Sequence, residues 1–212
     1  LLIIFSFSLT PIIWFWNKPG VLINGLDTNF PLNPITWFGR RFYIWNNVFN
    51  AGQDFSSSVA GIFFHSIQAF FYMLTKDLQI TEILSLIFWF GMTIFSAFIF
   101  ARSVVPKNKI SQILFVVFYV FNIYLFNTWE NVKVTNIAVV VTLPLFVSIL
   151  IKLKESKLSL KRGLLYTSLA AVIAAGSGIN PAYFIALLLG IFVYYFVVSL
   201  FSKSFEEFRI YT

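Results

Sequence analysis

Long apolar runs separated by short polar breaks organise this chain. Residues 1–16, 80–101, 110–127, 133–151, 163–179 and 181–201 are each dominated by Phe, Ile, Leu, Val and Ala. A helix needs about 20 such residues to cross a bilayer, so the pattern predicts six spanning helices. Their connections are short except for 17–79, which is polar and rich in Asn, Gly and Pro at its start. A stretch of that length is more than a connector. Inside it, Ile35, Phe38, Phe42, Trp45 and Phe49 recur at helical spacing with Arg40, Tyr43 and Asn47 opposite. This predicts an amphipathic interfacial helix over 35–50. A further apolar stretch, 59–75, carries Gly61, His65, Gln68 and Tyr72 along one narrow seam. It follows Gly52, Gln53, Asp54 and three serines, which suit a turn and a helix cap.

Charge decides whether 59–75 crosses. If it does not, Arg102, Lys107 and Lys109 share a side with Lys152, Lys154, Lys157, Lys161, Arg162, Lys203 and Arg209, ten of the fifteen basic residues. Basic loops stay cytoplasmic, which favours that arrangement. The loop 17–79, the loop around Glu130 and the turn from Gly176 to Pro181 then face the extracytoplasmic side of a multi-pass cell-membrane protein.

Composition strengthens the membrane reading. With 59% hydrophobic, 20% aromatic and only 11% charged residues, the chain cannot cover a water-facing surface, which takes about 25% charged residues. The net charge of +7 sits in short loops between apolar runs and not on one basic face, so nucleic acid is not an expected partner. The absence of Cys and the single His exclude thiolate and His-rich metal sites. The chain begins inside one apolar run and ends just past another, so it reads as the front section of a longer polypeptide, its first run a truncated anchor. The expected architecture is an all-α multi-spanning bundle over 1–212, with 17–79 as an outer loop bearing interfacial helices and 80–201 as the transmembrane part.

Candidate chemistry gathers on the outer side. Asp27, in Asn24-Gly25-Leu26-Asp27-Thr28-Asn29, is the first acidic residue of the chain. A carboxylate there can take the proton of a sugar hydroxyl as that oxygen attacks an activated anomeric carbon. Arg40 and Arg41 follow, and a guanidinium fork suits a phosphate leaving group. The same residues also read as a turn and as arginines that snorkel to lipid headgroups. Glu130 could orient an acceptor or pair with Lys133 in solvent. Together with Asp27 it could hold a divalent cation, although no metal-spacing motif is present and no metal is assigned. Gly176-Ser177-Gly178-Ile179-Asn180-Pro181 suits a ligand-lining turn through Asn180, or a plain inter-helix turn. His65 reads first as a hydrogen-bonded seam residue. Trp37 and Trp45 could supply a sugar platform, and Asp54 is a weaker candidate.

A first span, an outer loop with an early Asp and then amphipathic helices resembles the GT-C class of membrane glycosyltransferases. Asp27-Thr28-Asn29, Pro34, Phe38, Arg40 or Arg41 and Trp45-Asn46 resemble the opening loop of the alpha-(1→3)-arabinofuranosyltransferases of actinobacterial cell walls. Thr128-Trp129-Glu130 and the turn from Gly176 to Asn180 follow in the same order. The resemblance implies a GT-C fold, a polyprenyl-phosphate sugar donor, possible transfer of arabinofuranose to a cell-surface glycan acceptor, and Asp27 as the base. It implies Arg40 or Arg41 near the phosphate and Glu130, Asn180, Trp45 and His65 lining the substrate. Two other classes compete: a transporter or flippase subunit for lipid-linked substrates, whose polar groups would lie near the bilayer midplane, and a non-enzymatic membrane scaffold.

Overall fold

Apolar side chains all round a helix leave its backbone to satisfy itself, and the chain does this almost everywhere with helices. The computed structural model describes residues 6–15, 18–23, 30–46, 52–130 and 133–202. In chain order the helices are α1 (Thr10–Trp14, entered through a 3-10 turn, Phe7–Leu9), α2 (Pro34–Arg40), α3 (Ile62–Thr75, after a 3-10 segment, Ser56–Gly61), α4 (Leu78–Val104) and α5 (Lys109–Val120). They continue as α6 (Ile123–Glu130), α7 (Val134–Lys154), α8 (Leu160–Ala174, followed by a 3-10 turn, Ala175–Ile179) and α9 (Pro181–Ser202). Four helical stretches are long and apolar enough to cross a membrane: Ser56–Thr75, Leu78–Val104, Val134–Lys154 and Leu160–Ile179. Two shorter apolar ones are Lys109–Val120 and Pro181–Val197.

Two expectations need correction. The run 110–127 is not one helix. It breaks at Phe121 and Asn122, where the Asn122 side chain accepts from Leu125 N (3.0 Å) and starts a new helix. The helix expected over 35–50 ends at Arg40, and the chain then extends into a two-residue ladder, Trp45 against Asp54 and Asn46 against Gln53. Aromatic spacing alone cannot tell a helix from a strand with exposed aromatics. The loop 17–79 also holds a 20-residue apolar helical stretch, Ser56–Thr75.

That stretch does not run beside the other long helices over its length. Its start meets the turn after α8, where a Cβ on Gly61 would lie 3.1 Å from Ile179 Cδ1. Its end turns back into α4 through Lys76, in the left-handed region at φ 55°, and Asp77, whose side chain accepts from Ile80 N (2.8 Å). The start of α7 comes to α4 near Trp89, where Phe64, Trp89, Val134 and Gly176 line one small void. The first turns of α4 pair with α3 as an antiparallel hairpin, Phe71 meeting Phe88 and Thr75 meeting Thr81.

The core centres on Trp89 and Phe90, 2% and 1% exposed. Phe64 stacks on Trp89 at 5.2 Å, and Phe90 meets Trp14, Phe121 and Trp129. Pro144 inside α7 has no N–H to give the carbonyl of Val140. Tyr119 of α5 supplies the missing donor, its hydroxyl 2.8 Å from that oxygen. At the opposite end, the helix ends and links joining α4 to α5 and α7 to α8 carry Arg102, Lys107, Lys109, Lys152, Lys154, Lys157, Lys161 and Arg162. Arg102 and Lys152 lie close enough to repel. Lys203 and Arg209 fall outside the described residues.

Candidate functional site

Between α2, the hairpin of α3 and α4, and the starts of α7 and α9 lies a cavity of about 580 Å³. Its walls are largely aromatic and aliphatic, including Trp37, Phe64, Leu86, Trp89 and Ile179. Arg41, His65, Gln68, Glu82, Ser85 and Thr135 are the buried polar side chains that line it.

Arg41 is placed by the shortness of α2. Asn33 caps that helix by accepting from Thr36 N (3.0 Å), and Pro34 opens it without needing a donor. After two turns the chain reaches Arg41 as the C-terminal cap and turns its side chain inward, to 6% exposure. The guanidinium lies 4.6 Å over the Trp37 ring and 5.0 Å over that of Phe55. Among the described residues no carboxylate pairs with it, and its Nε has no hydrogen-bond partner. Burial holds its pKa down to about 10, so it remains a cation at neutral pH. A desolvated cation without a counter-ion is costly, and two aromatic faces replace only part of the lost hydration.

Glu82 comes from the second turn of α4 and is 3% exposed. One of its oxygens accepts from Ile23 N at 2.9 Å. One turn earlier, Gln79 accepts from Gly20 N (3.0 Å) and donates to the carbonyls of Lys18 and Val21. The start of α4 thus holds residues 18–23 by four hydrogen bonds and brings Ile23 to the cavity wall. His65 and Gln68, one turn apart on α3, are joined at 2.9 Å between Nδ1 and Oε1. An amide oxygen only accepts, so with Oε1 facing the ring Nδ1 is the donor, and the ring meets Trp37 edge to face.

Of the residues singled out in the sequence, Arg41, His65 and Asn180 line one cavity, with Trp37. The Asn180 side chain accepts from Ala182 N (3.1 Å), so part of it serves as a cap for α9. Arg40 does not line the cavity, although it directly precedes Arg41. Trp45 lies elsewhere, 61% exposed and packed over Gly52, whose added Cβ would sit 2.6 Å from the indole. Asp54 is fully exposed and accepts from Ser56 N (2.8 Å), a contact that lowers its pKa. Asp27 lies outside the described residues. The residues bracketing its segment, Ile23 and Phe30, both line the cavity. Glu130 ends α6, and its side chain is outside the described part. Among the described residues no three His, Asp or Glu side chains gather to hold a metal.

Glu82 is the functional candidate that pattern reading passes over, because it lies within a run taken whole as a span. The signal was present: it is the sole charged residue from Leu78 to Ala101. The site therefore offers a buried cation and a buried carboxylate, not paired with each other, in an aromatic-walled cavity. No family model, curated protein or solved structure matches this chain.

Proposed function

We propose that the protein is a membrane glycosyltransferase that moves a sugar from a polyprenyl-phosphate donor to a cell-surface glycan. In this reaction Asp27 takes the proton of an acceptor hydroxyl, whose oxygen forms a new bond to the anomeric carbon. The bond from that carbon to the phosphate oxygen breaks, its electron pair leaves with the polyprenyl phosphate, and the anomeric centre inverts. Arg41 holds the leaving phosphate. The observation that carries the reading is Arg41 itself: a buried guanidinium, facing a cavity of about 580 Å³, with an unpartnered Nε. Arginine is well matched to phosphate because its planar fork can donate two parallel hydrogen bonds.

Two further features support it. The cavity lies at the end of the bundle away from the eight described basic loop residues, the extracytoplasmic end by the rule that basic loops stay inside. The buried charges gather at that mouth, which favours surface chemistry over passage of a substrate along the bundle. Arabinofuranose is the sugar suggested by the resemblance of the loop from Asp27 to Asn46.

The test is transfer by the purified protein in proteoliposomes, with farnesyl-phosphoryl arabinofuranose and farnesyl-phosphoryl mannose as labelled donors and a cell-wall glycan as acceptor. Label should appear in the glycan with release of farnesyl phosphate. Movement of an intact lipid-linked sugar across the bilayer, with neither donor cleaved, would establish the transporter reading instead.

A further inference from the structure

Arg41, Gln68 and Glu82 in this cavity are more than nine-tenths buried, at 6%, 5% and 3% exposure, and retain unused hydrogen-bonding capacity, as does the Trp89 indole N–H in the same wall. Among the described residues, Nε of Arg41, the second carboxylate oxygen of Glu82 and the side-chain nitrogen of Gln68 have no hydrogen-bond partner. Arg41 and Glu82 do not neutralise each other, although both line the same space. Arg41 Nε is itself fully buried without a partner, and the free atoms of Gln68 and Glu82 belong to the same cavity wall, so a ligand that meets all three gains most from binding there.

A purely apolar lipid tail satisfies none of them. A bare phosphate accepts from Arg41 but has no donor for the free oxygen of Glu82. A phosphate carrying an ammonium headgroup gives Glu82 a donor, and leaves Gln68 to share the phosphate oxygens with Arg41. A hydroxyl both donates and accepts. We propose that Glu82 and Gln68 are the sugar-recognition pair of this cavity, taking hydroxyls of a glycosyl phosphate whose phosphate sits on Arg41. This deepens the donor reading given above and rests on its phosphate site. His65 has a positioning role: by donating to Gln68 Oε1 at 2.9 Å it turns the amide nitrogen away from itself.

The experiment is equilibrium binding to the detergent-solubilised protein of farnesyl phosphate, farnesyl-phosphoryl arabinofuranose, farnesyl-phosphoryl mannose and the two soluble sugar 1-phosphates. Two hydrogen bonds to hydroxyls, one of them charge-assisted, predict that one sugar-bearing farnesyl probe binds about a hundredfold more tightly than farnesyl phosphate. Glu82→Gln keeps an acceptor for Ile23 N and so preserves the local fold, checked by an unchanged Tm. It should cut that gain about tenfold while leaving farnesyl phosphate affinity within about twofold. Gln68→Ala should act in the same direction.

The proposal is overturned if neither sugar adds affinity over farnesyl phosphate, or if Glu82→Gln weakens farnesyl phosphate as much as its glycosylated form. Either result leaves the phosphate site on Arg41 standing. If a soluble sugar 1-phosphate binds as tightly as its farnesyl ester, with the same dependence on Glu82, recognition by Glu82 and Gln68 is upheld and the lipid-linked donor is the part that fails.

Discussion

Replacing Asp27 with asparagine is expected to lower the transfer rate by at least about a hundredfold, the low end of what a positioned general base contributes. Asparagine keeps the size and much of the hydrogen bonding of aspartate but cannot take a proton at neutral pH, so the loss falls on kcat and leaves donor KM nearly unchanged. Membrane insertion and Tm should match those of the unsubstituted protein, because only one carboxylate is neutralised. The comparison is made on steady-state transfer in proteoliposomes across a range of donor concentrations. Full activity in the Asp27→Asn protein would remove Asp27 from the chemistry and turn attention to Glu82, the buried carboxylate of the cavity.

Arg41→Met is expected to weaken donor binding by about 30- to 1000-fold, the equivalent of about 2–4 kcal/mol for a charge-assisted phosphate contact in a desolvated site. Methionine retains much of the aliphatic stem and puts an apolar end where the guanidinium lies over Trp37 and Phe55, so the lost quantity is the charge and its fork of donors. Removing an unpaired buried cation also relieves a desolvation cost, so Tm should hold or rise. This combination of weaker binding with undiminished stability marks a residue kept for a ligand. Arg41→Lys should recover only part of the affinity, since an ammonium is a point charge without the bidentate geometry. Binding of farnesyl phosphate measured alongside Tm for the three proteins checks the pattern.

The apolar runs announced the membrane-type helices, and α4, α7 and α8 fall within a few residues of where hydropathy puts them. What hydropathy could not convey is surroundings. Residues 80–101 read as a plain span, yet the first three turns of α4 pair with α3, hold residues 18–23 and line the cavity. Apart from Glu82, nothing in the composition of that helix marks the difference. For the same reason the charge at Glu82 looked incidental: its meaning comes from Ile23 and Gln68, 59 and 14 positions away in sequence.

Arg41 was legible as a candidate because an arginine beside an early acidic loop is chemically suggestive. Arg40 was equally suggestive, and only the termination of α2 after Arg40 separates the two. Trp45 was misplaced by its spacing: its intervals from Phe38 and Phe42 fit a helix, but the chain at Trp45 is extended and packs on Gly52. Glycine tolerates that close approach, since any Cβ there would overlap the indole. His65 and Gln68 lay on a seam that the sequence displayed correctly. Their hydrogen bond is a local consequence of i, i+3 spacing on one helix face.

The most direct test of the phosphate site is an experimental structure of the protein in lipid nanodiscs with farnesyl phosphate bound. The phosphate should lie in the cavity between α2, α3 and α4, within hydrogen-bonding distance of the Arg41 guanidinium, with Trp37 still beneath it. A phosphate bound elsewhere, with Arg41 paired to a protein carboxylate, would contradict the assignment of this cavity as the donor site.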